Sequence, residues 1–180
     1  ILFKKSLYDE CRKILHRAKK MAVKFEKHFM MLEIYRWEKK LLEKDSYAGS
    51  NIEDITGMNS NDSELLEKIK NYSDFWYIKS RLFLSLNKKG KVRDNAELNN
   101  FKTIIDNTLL KNEDKALSYE TRYLYYHIYS AYYFGIGDYK NSYTYIRKHL
   151  ELIEKNAEVF GEEPNKYFAV LSNMIYLCTQ

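Results

Sequence analysis

Residues that interrupt regular secondary structure are scarce in this chain. Six Gly and one Pro are spread over 180 residues, whereas 17 Tyr, 9 Phe and 2 Trp supply a large aromatic content. β-Sandwiches need turn residues about every ten positions, and disordered chains lack the aromatic residues that build a core. The sequence therefore predicts an all-α globular protein whose helices are mostly joined by short turns.

Apolar residues recur at steps of three and four along most of the chain, which is the spacing of one helix face. The short polar stretch 24–28 predicts a tight turn between the first two helices. The alternative is a single helix of about 40 residues, which would be unusual outside a coiled coil. The helices are predicted at 7–25, 30–41, 63–87, 95–110, 117–135, 139–158 and from 164 onward.

One segment has the composition of a loop. Residues 45–62 contain the longest Ser, Asn and Gly cluster of the chain, and such clusters between periodic segments are typical of loops. We expect this loop to join the N-terminal helix pair to the rest of a single helical domain spanning residues 1–180.

The last predicted helix is unusually apolar between Tyr167 and Cys178. A helix of this kind normally packs against another helix. We therefore expect the chain to be a piece of a longer protein. Self-association through this helix, with Leu171 and Ile175 at the contact, is an alternative.

Basic residues are concentrated at the N-terminus. The whole chain has a net charge of +5, but residues 1–44 hold 13 basic and 6 acidic side chains, a net charge of +7. Contacts between such cations and phosphates would give salt-dependent, sequence-blind binding of nucleic acid. The interspersed acids and the lack of a base-reading motif favour a solvated helix face instead. The cations concerned are Lys4, Lys5, Arg12, Lys13, Arg17, Lys19, Lys20, Lys24 and Lys27.

Signatures of catalysis, metal binding and membrane insertion are missing from the sequence. Cys11 and Cys178 lie at opposite ends and form no disulfide framework, which fits a reducing, cytoplasmic location. No phosphate-binding loop, nucleophile elbow or paired metal ligands occur, and no apolar run approaches the roughly 20 residues that span a bilayer. We expect no enzyme activity, no cofactor, no metal and no membrane partner. The histidines are His16, His28, His127 and His149.

Tyrosines are concentrated in the predicted helix 117–135 and just beyond it. Ten of the 17 lie between Tyr119 and Tyr145, and seven of these form two stripes on different faces of the helix. Large apolar side chains on two faces indicate a helix that is packed on two sides. This is the position of an inner helix in a stacked array.

Residues 126–146 resemble a tetratricopeptide repeat, a helix–turn–helix with bulky and small residues at fixed spacings. The best match, 123–156, covers about one repeat. The chain departs from the pattern at His149 and Glu154, where the family has a small residue and a Pro, and its spacing exceeds the usual 34 residues. The matching positions are Tyr126, Tyr129, Ser130, Tyr133, Gly137, Asp138, Tyr139, Ser142 and Ile146.

The resemblance implies a right-handed solenoid of antiparallel helix pairs, of a kind common in bacterial regulatory proteins. It further implies a non-catalytic protein–protein interaction scaffold that binds a peptide, a helix or a partner domain on its concave face. Nucleic-acid binding and self-association are the alternatives. By analogy with the family, the partner-binding groove would be lined by Leu124, His127, Ala131 and Phe134.

Overall fold

The computed structural model describes residues 1–179, and no β-strand occurs among them. The prediction of an all-α fold is therefore confirmed. Short 3-10 turns lie at Phe3–Lys5, Thr108–Leu110 and Glu113–Lys115. The helices are α1 (Tyr8–Lys24), α2 (His28–Lys44), α3 (Ile52–Lys89), α4 (Asn95–Ile105), α5 (Tyr119–Gly135), α6 (Tyr139–Lys155), α7 (Ala157–Phe160) and α8 (Pro164–Cys178).

The chain forms two compact units, Ile1–Lys70 and Asn71–Gln180, where the sequence predicted one domain. Each unit has its own cluster of buried apolar side chains. A separate core is what makes a compact unit, because burial of apolar surface is the main favourable term in folding. None of the helices formed by residues 1–179 combines the length and the hydropathy that crossing a bilayer requires.

The first unit is built on an antiparallel hairpin of α1 and α2. The predicted turn near residues 24–28 is confirmed, and the alternative of one continuous helix is wrong, because α1 ends at Lys24 and α2 begins at His28. Ion pairs show the antiparallel direction: Lys19 bonds Glu38 at 3.0 Å, while Arg12, earlier in α1, bonds Asp45, just after the end of α2. The buried cluster comprises Ala22, Met31, Ile34 and Leu65.

The loop predicted at 45–62 is wrong over its second half, because α3 begins at Ile52. A reciprocal cap forms the start of the helix. The Asn51 side chain accepts from the Asp54 backbone N–H at 2.9 Å, and the Asp54 carboxylate accepts from the Asn51 N–H at 3.0 Å. These bonds satisfy backbone donors that a helix start leaves free. Loop composition was misleading here because Asn and Asp are also the residues that begin helices.

The second unit is organised around α5 and α6, which pack against each other. Ser142 on α6 donates its hydroxyl to the Ser130 carbonyl of α5 at 2.8 Å. Further along α6, the His149 ring lies 4.0 Å from that of Tyr123, which is earlier in α5. Residues later in α6 contact residues earlier in α5, so the two helices are antiparallel. This is expected for adjacent helices joined by a short connection.

Helix α8 lies beside α5 and runs in the same direction. Lys166, in the first turn of α8, bonds Glu120 in the first turn of α5 at 2.7 Å. Tyr176, in the last turn of α8, has its ring centroid 5.9 Å from that of Phe134 near the end of α5. Helix α8 also packs on α6. This packing of α5, α6 and α8 is compatible with a helical repeat.

The connection from α4 to α5 is held by side chains that bond the main chain. Helix α4 ends at Ile105, five residues before the predicted end. The buried Asn71 amide nitrogen donates to the Lys115 carbonyl at 2.9 Å, and its oxygen accepts from the Leu117 N–H at 3.0 Å. The connection therefore keeps a fixed path although it forms only short 3-10 turns.

Candidate functional site

A cavity of about 440 Å³ lies within the second unit. Its walls come from the end of α3 and the following residues, and from α5, α6 and α8. Most of the lining side chains are apolar or aromatic, and one is charged. The lining residues are Phe83, Leu86, Asn87, Gly90, Lys91, His127, Ser130, Ala131, Phe134, Ser142, Ile146, Asn173, Tyr176 and Leu177.

The cavity is closed at its base and open at its mouth. Ser142, Ile146 and Leu177 at the base are all buried, with Ser142 fully inaccessible to solvent. Asn87 and Tyr176 at the mouth are exposed, the latter by 51%. The cavity therefore opens to solvent between exposed residues and ends against buried ones.

Three of the four residues predicted to line a partner-binding groove lie together at this cavity: His127, Ala131 and Phe134. The fourth, Leu124, is 4% exposed and belongs to the core, so that part of the prediction is wrong. Leu124 lies on nearly the same side of α5 as Ala131, since seven residues turn a helix through about 700°, but it lies two turns nearer to the start of the helix. At that level it packs among the buried residues of the core and does not line the cavity.

Several lining residues come from parts of the chain that the sequence did not connect with α5. Phe83 lies on α3, Lys91 follows its end, and Asn173 and Tyr176 lie on α8. The apolar spacing of the sequence predicts helices over both segments, but it gives no sign that they share a cavity with α5.

The small residues predicted to let α5 and α6 approach each other lie at the base of the cavity. Ser130 and Ser142 are both buried and joined by the Ser142 hydroxyl bond. The Ser130 hydroxyl donates to the His127 carbonyl at 3.0 Å. Ile146, one turn after Ser142, is 5% exposed and packs beside them.

The tyrosines predicted to pack the repeat form a continuous aromatic cluster. Tyr129 stacks on Tyr145 with ring centroids 4.7 Å apart, and Tyr133 stacks on the same ring at 5.6 Å. Tyr126 donates its hydroxyl to a Glu113 carboxylate oxygen at 2.6 Å. Burial is the main cause that raises the pKa of Tyr126, Tyr129 and Tyr145 above the ordinary value.

The predicted Gly-Asp-Tyr turn joins α5 to α6. Gly137 has φ +79°, a left-handed conformation in which Gly is favoured. Asp138 caps α6 by accepting from the Asn141 backbone N–H at 3.0 Å. This bond and the negative charge both stabilise the helix start. The hydrogen bonds from the backbone and side chain of Asn141 hold the pKa of Asp138 below its ordinary value.

The next residue of this turn, Tyr139, positions the one cation of the cavity. Lys91 donates its ammonium to the Tyr139 hydroxyl at 2.7 Å, and its Nζ lies 4.7 Å from the centroid of the Phe134 ring. The backbone near Lys91 is fixed by a bond from the Val92 N–H to the Gly135 carbonyl at 2.9 Å. The ammonium group is thereby held at the cavity wall.

His127 is a neutral imidazole at neutral pH. Burial, assisted by the Lys79 ammonium, lowers the pKa of His127 to about 4. Its Nδ1 is buried without a hydrogen-bond partner, and the Phe83 ring packs edge-on with centroids 4.8 Å apart. The ring of His149 lies 5.7 Å away and is 2% exposed, and burial holds the pKa of His149 well below the ordinary value.

The basic N-terminal helices lie in the first unit, where several of their cations are already paired. Lys13 bonds Glu10 at 2.9 Å, Lys19 bonds Glu38 at 3.0 Å, and Arg12 bonds both Asp9 and Asp45. Each pair neutralises a charge that phosphate binding would use. Within residues 1–179, no cluster of His, Cys, Asp and Glu side chains is suited to hold a metal ion.

The predicted self-association face of α8 is partly accessible. Ile175 is 68% exposed and Phe168 is 61% exposed, while Leu171 is half-buried. No charged residue occurs between Tyr167 and Cys178. This face is therefore apolar, uncharged and open to solvent.

Comparison with known proteins does not assign this site. No protein family, curated protein or solved structure matches the chain. The tetratricopeptide resemblance therefore depends on the residues of 123–156 and on the packing of the helices around them.

Proposed function

We propose that this chain is a non-catalytic protein–protein interaction scaffold, and that the cavity of its second unit receives a bulky side chain from a partner peptide or helix. The observation that supports this most directly is a cavity of about 440 Å³ with an apolar lining, a closed base and an open mouth. Interfaces concentrate binding energy where an anchor side chain fills a desolvated pocket.

The polar groups of the cavity are suited to binding and not to bond-breaking chemistry. The hydroxyls of Ser130 and Ser142 donate to main-chain carbonyls. His127, the one imidazole in the lining, has no hydrogen-bond partner at its buried Nδ1. A nucleophile needs an adjacent base within hydrogen-bond reach, and these residues offer shape and apolar surface instead.

We also propose that the helices form a right-handed tetratricopeptide-like superhelix. Such a superhelix would present the mouth of the cavity on its concave face, next to equivalent positions of neighbouring repeats. A bacterial, cytoplasmic protein of this kind would bind its partner through an extended surface of which this cavity is one subsite. A protein or peptide partner, without a cofactor, completes the proposal.

The direct test is a selection of peptides that bind the cavity. Random peptides displayed on phage are selected on the immobilised wild-type chain and on the variant Ala131→Trp, whose indole would fill the cavity. We expect enrichment of sequences with one bulky apolar residue on the wild type and its loss on the variant. The matched control is Ala96→Trp, at an exposed alanine of α4 outside the cavity.

Two further measurements make the result decisive. Thermal unfolding followed by circular dichroism checks that Ala131→Trp is folded. The variant Tyr176→Glu changes an exposed residue of the mouth and leaves the base intact. Peptides that bind all four chains equally would refute the cavity as the binding site, and a selection that enriches nothing on the wild type would refute the proposal.

Self-association is the second candidate, and the exposed apolar face of α8 favours it. Isologous contact between two such faces would desolvate no charge. We expect a concentration-dependent mass in sedimentation experiments that the variant Ile175→Glu abolishes. A mass that stays monomeric at all concentrations would exclude this candidate and leave the cavity proposal unchanged.

A further inference from the structure

We infer that the cavity selects an acidic peptide, in which the bulky apolar side chain that enters the cavity is flanked by carboxylates. This inference rests on the proposed function and adds the chemistry of the partner. It depends on the sign and the position of the charges around the mouth. The shape of the cavity alone would accept a large apolar residue in any sequence context.

The charge that lines the cavity is positive, and the acids that follow it in the chain bond backbone groups: the Asp94 carboxylate accepts from the Glu97 N–H, and the Glu97 carboxylate accepts from the Arg93 N–H. Lys91 is the one charged residue in the lining, and Lys88 and Arg93 lie exposed on either side of it in the chain. Lys79 is close enough to His127 to act on its titration. Asp138, beside Tyr139, directs its carboxylate to the backbone and side chain of Asn141. An anion beside the mouth therefore meets complementary charge.

The ammonium of Lys91 is held ready for such an anion. An ammonium group has three N–H donors, and the Tyr139 hydroxyl accepts one of them. No carboxylate of residues 1–179 pairs with it. The faces of Phe134 and Tyr139, 4.7 and 5.0 Å away, restrict the side chain. A restricted cation loses less conformational entropy when it pairs with a ligand.

The partner peptide should carry both an apolar side chain and a carboxylate, because the apolar cavity wall and the Lys91 ammonium are adjacent. Phe134 contributes to the cavity wall and also lies under the Lys91 ammonium. A side chain that packs on Phe134 therefore lies next to the cation. A carboxylate one or two residues away in a peptide can reach it, whereas a lysine in the same place would be repelled.

The probes are short fluorescein-labelled peptides with one central Phe, Leu or Trp, flanked by aspartates, by lysines or by serines. Binding is measured by fluorescence anisotropy at low salt and at roughly 0.5 M salt, where exposed charges are screened. For the wild type we expect aspartate-flanked peptides to bind about fivefold or more tightly than lysine-flanked peptides. High salt should reduce this ratio.

Substitutions of Lys91 test whether this residue is the source of the preference. We expect Lys91→Glu to reverse the order of the aspartate- and lysine-flanked peptides. Lys91→Gln keeps a donor for the Tyr139 hydroxyl and should abolish the preference, which covers the case in which Lys91→Glu fails to fold. The matched control is Lys148→Glu, a lysine whose ammonium also lies over a tyrosine ring, 5.5 Å from its centroid, outside this cavity.

The outcomes separate this inference from the proposed function. Equal binding of aspartate- and lysine-flanked peptides, or an order that survives in Lys91→Glu, overturns the acidic preference. If serine-flanked peptides still lose binding in Ala131→Trp, the cavity proposal stands. If no peptide responds to Ala131→Trp, both fail. If free phenylpropionate binds as tightly as the peptides, the site takes small aromatic acids and the peptide assignment is overturned.

Discussion

Replacement of His127 should reduce the acid sensitivity of the second unit. The unfolded chain binds a proton at the ordinary histidine pKa of 6.5, whereas burial holds the pKa of the folded His127 at about 4. Between these two values the unfolded state binds a proton that the folded state does not. The free energy of unfolding therefore falls as the pH is lowered through this window.

The size of the effect follows from the two pKa values of His127. Between pH 7.5 and pH 5.0, the linkage relation gives a loss of about 2 kcal/mol in the free energy of unfolding from this residue. His149, which is also buried and neutral, changes stability in the same direction. Burial, the main cause of the lowered pKa of His149, remains when His127 is replaced, whereas the smaller effect of the His127 charge on His149 is removed.

The assay is urea unfolding of the wild type and His127→Gln at both pH values, followed by near-ultraviolet circular dichroism of tyrosine. Of the 17 tyrosines, 14 lie in residues 71–180, so the signal reports mainly on the second unit. We expect the free energy of unfolding to fall by about 2 kcal/mol less in His127→Gln than in the wild type between pH 7.5 and pH 5.0. The matched control is His16→Gln, at an exposed histidine of α1.

The comparison across pH removes effects that do not involve the imidazole proton. Asp106 and Asp138, whose pKa values are lowered by hydrogen bonds, lose stabilising interactions at low pH in both chains. These losses cancel in the difference between the chains. If wild type and His127→Gln lose the same free energy of unfolding, the premise that folded His127 stays neutral is refuted.

Three further substitutions test the local structure through thermal or urea unfolding. Gly137→Val should cost at least about 1 kcal/mol, because Gly137 has φ +79° although a Cβ there would meet open space; an unchanged melting curve would contradict this. Gly57→Ala, inside α3 and also in open space, should instead stabilise the first unit by up to about 1 kcal/mol. Asn71→Ala should cost about 1–3 kcal/mol, because it leaves the Lys115 carbonyl and the Leu117 N–H without their partner; a smaller loss would mean that water replaces the amide.

The helices could be predicted from the sequence because their signals are local. The apolar period, the Gly137 turn and the Asp138 cap all lie within a few residues of the structure they determine. The sequence predicted a loop at the start of α3 because Asn and Asp are typical of loops. In the structure, Asn51 and Asp54 instead cap the helix. Composition does not distinguish these two uses of the same residues.

The cavity could be predicted only in part because its walls come from distant parts of the chain. The positions of His127, Ala131 and Phe134 follow from the face of one helix, and the resemblance to a repeat indicated that face. Lys91 reaches the cavity through a bond to Tyr139, which lies 48 residues later. No period or motif in one sequence reports such a contact, so the cation that sets the proposed selectivity was not predicted.

The tyrosine cluster around α5 also sets an alkaline limit for the fold. Burial is the main cause that raises the pKa of Tyr125, Tyr126, Tyr129, Tyr132 and Tyr145 above 10. Above pH 10 the unfolded chain therefore releases protons that the folded chain retains, and stability falls as the pH rises. These phenols therefore ionise when the core around them unfolds. The ultraviolet absorbance of phenolate would then serve as a built-in optical reporter of unfolding, with no added label.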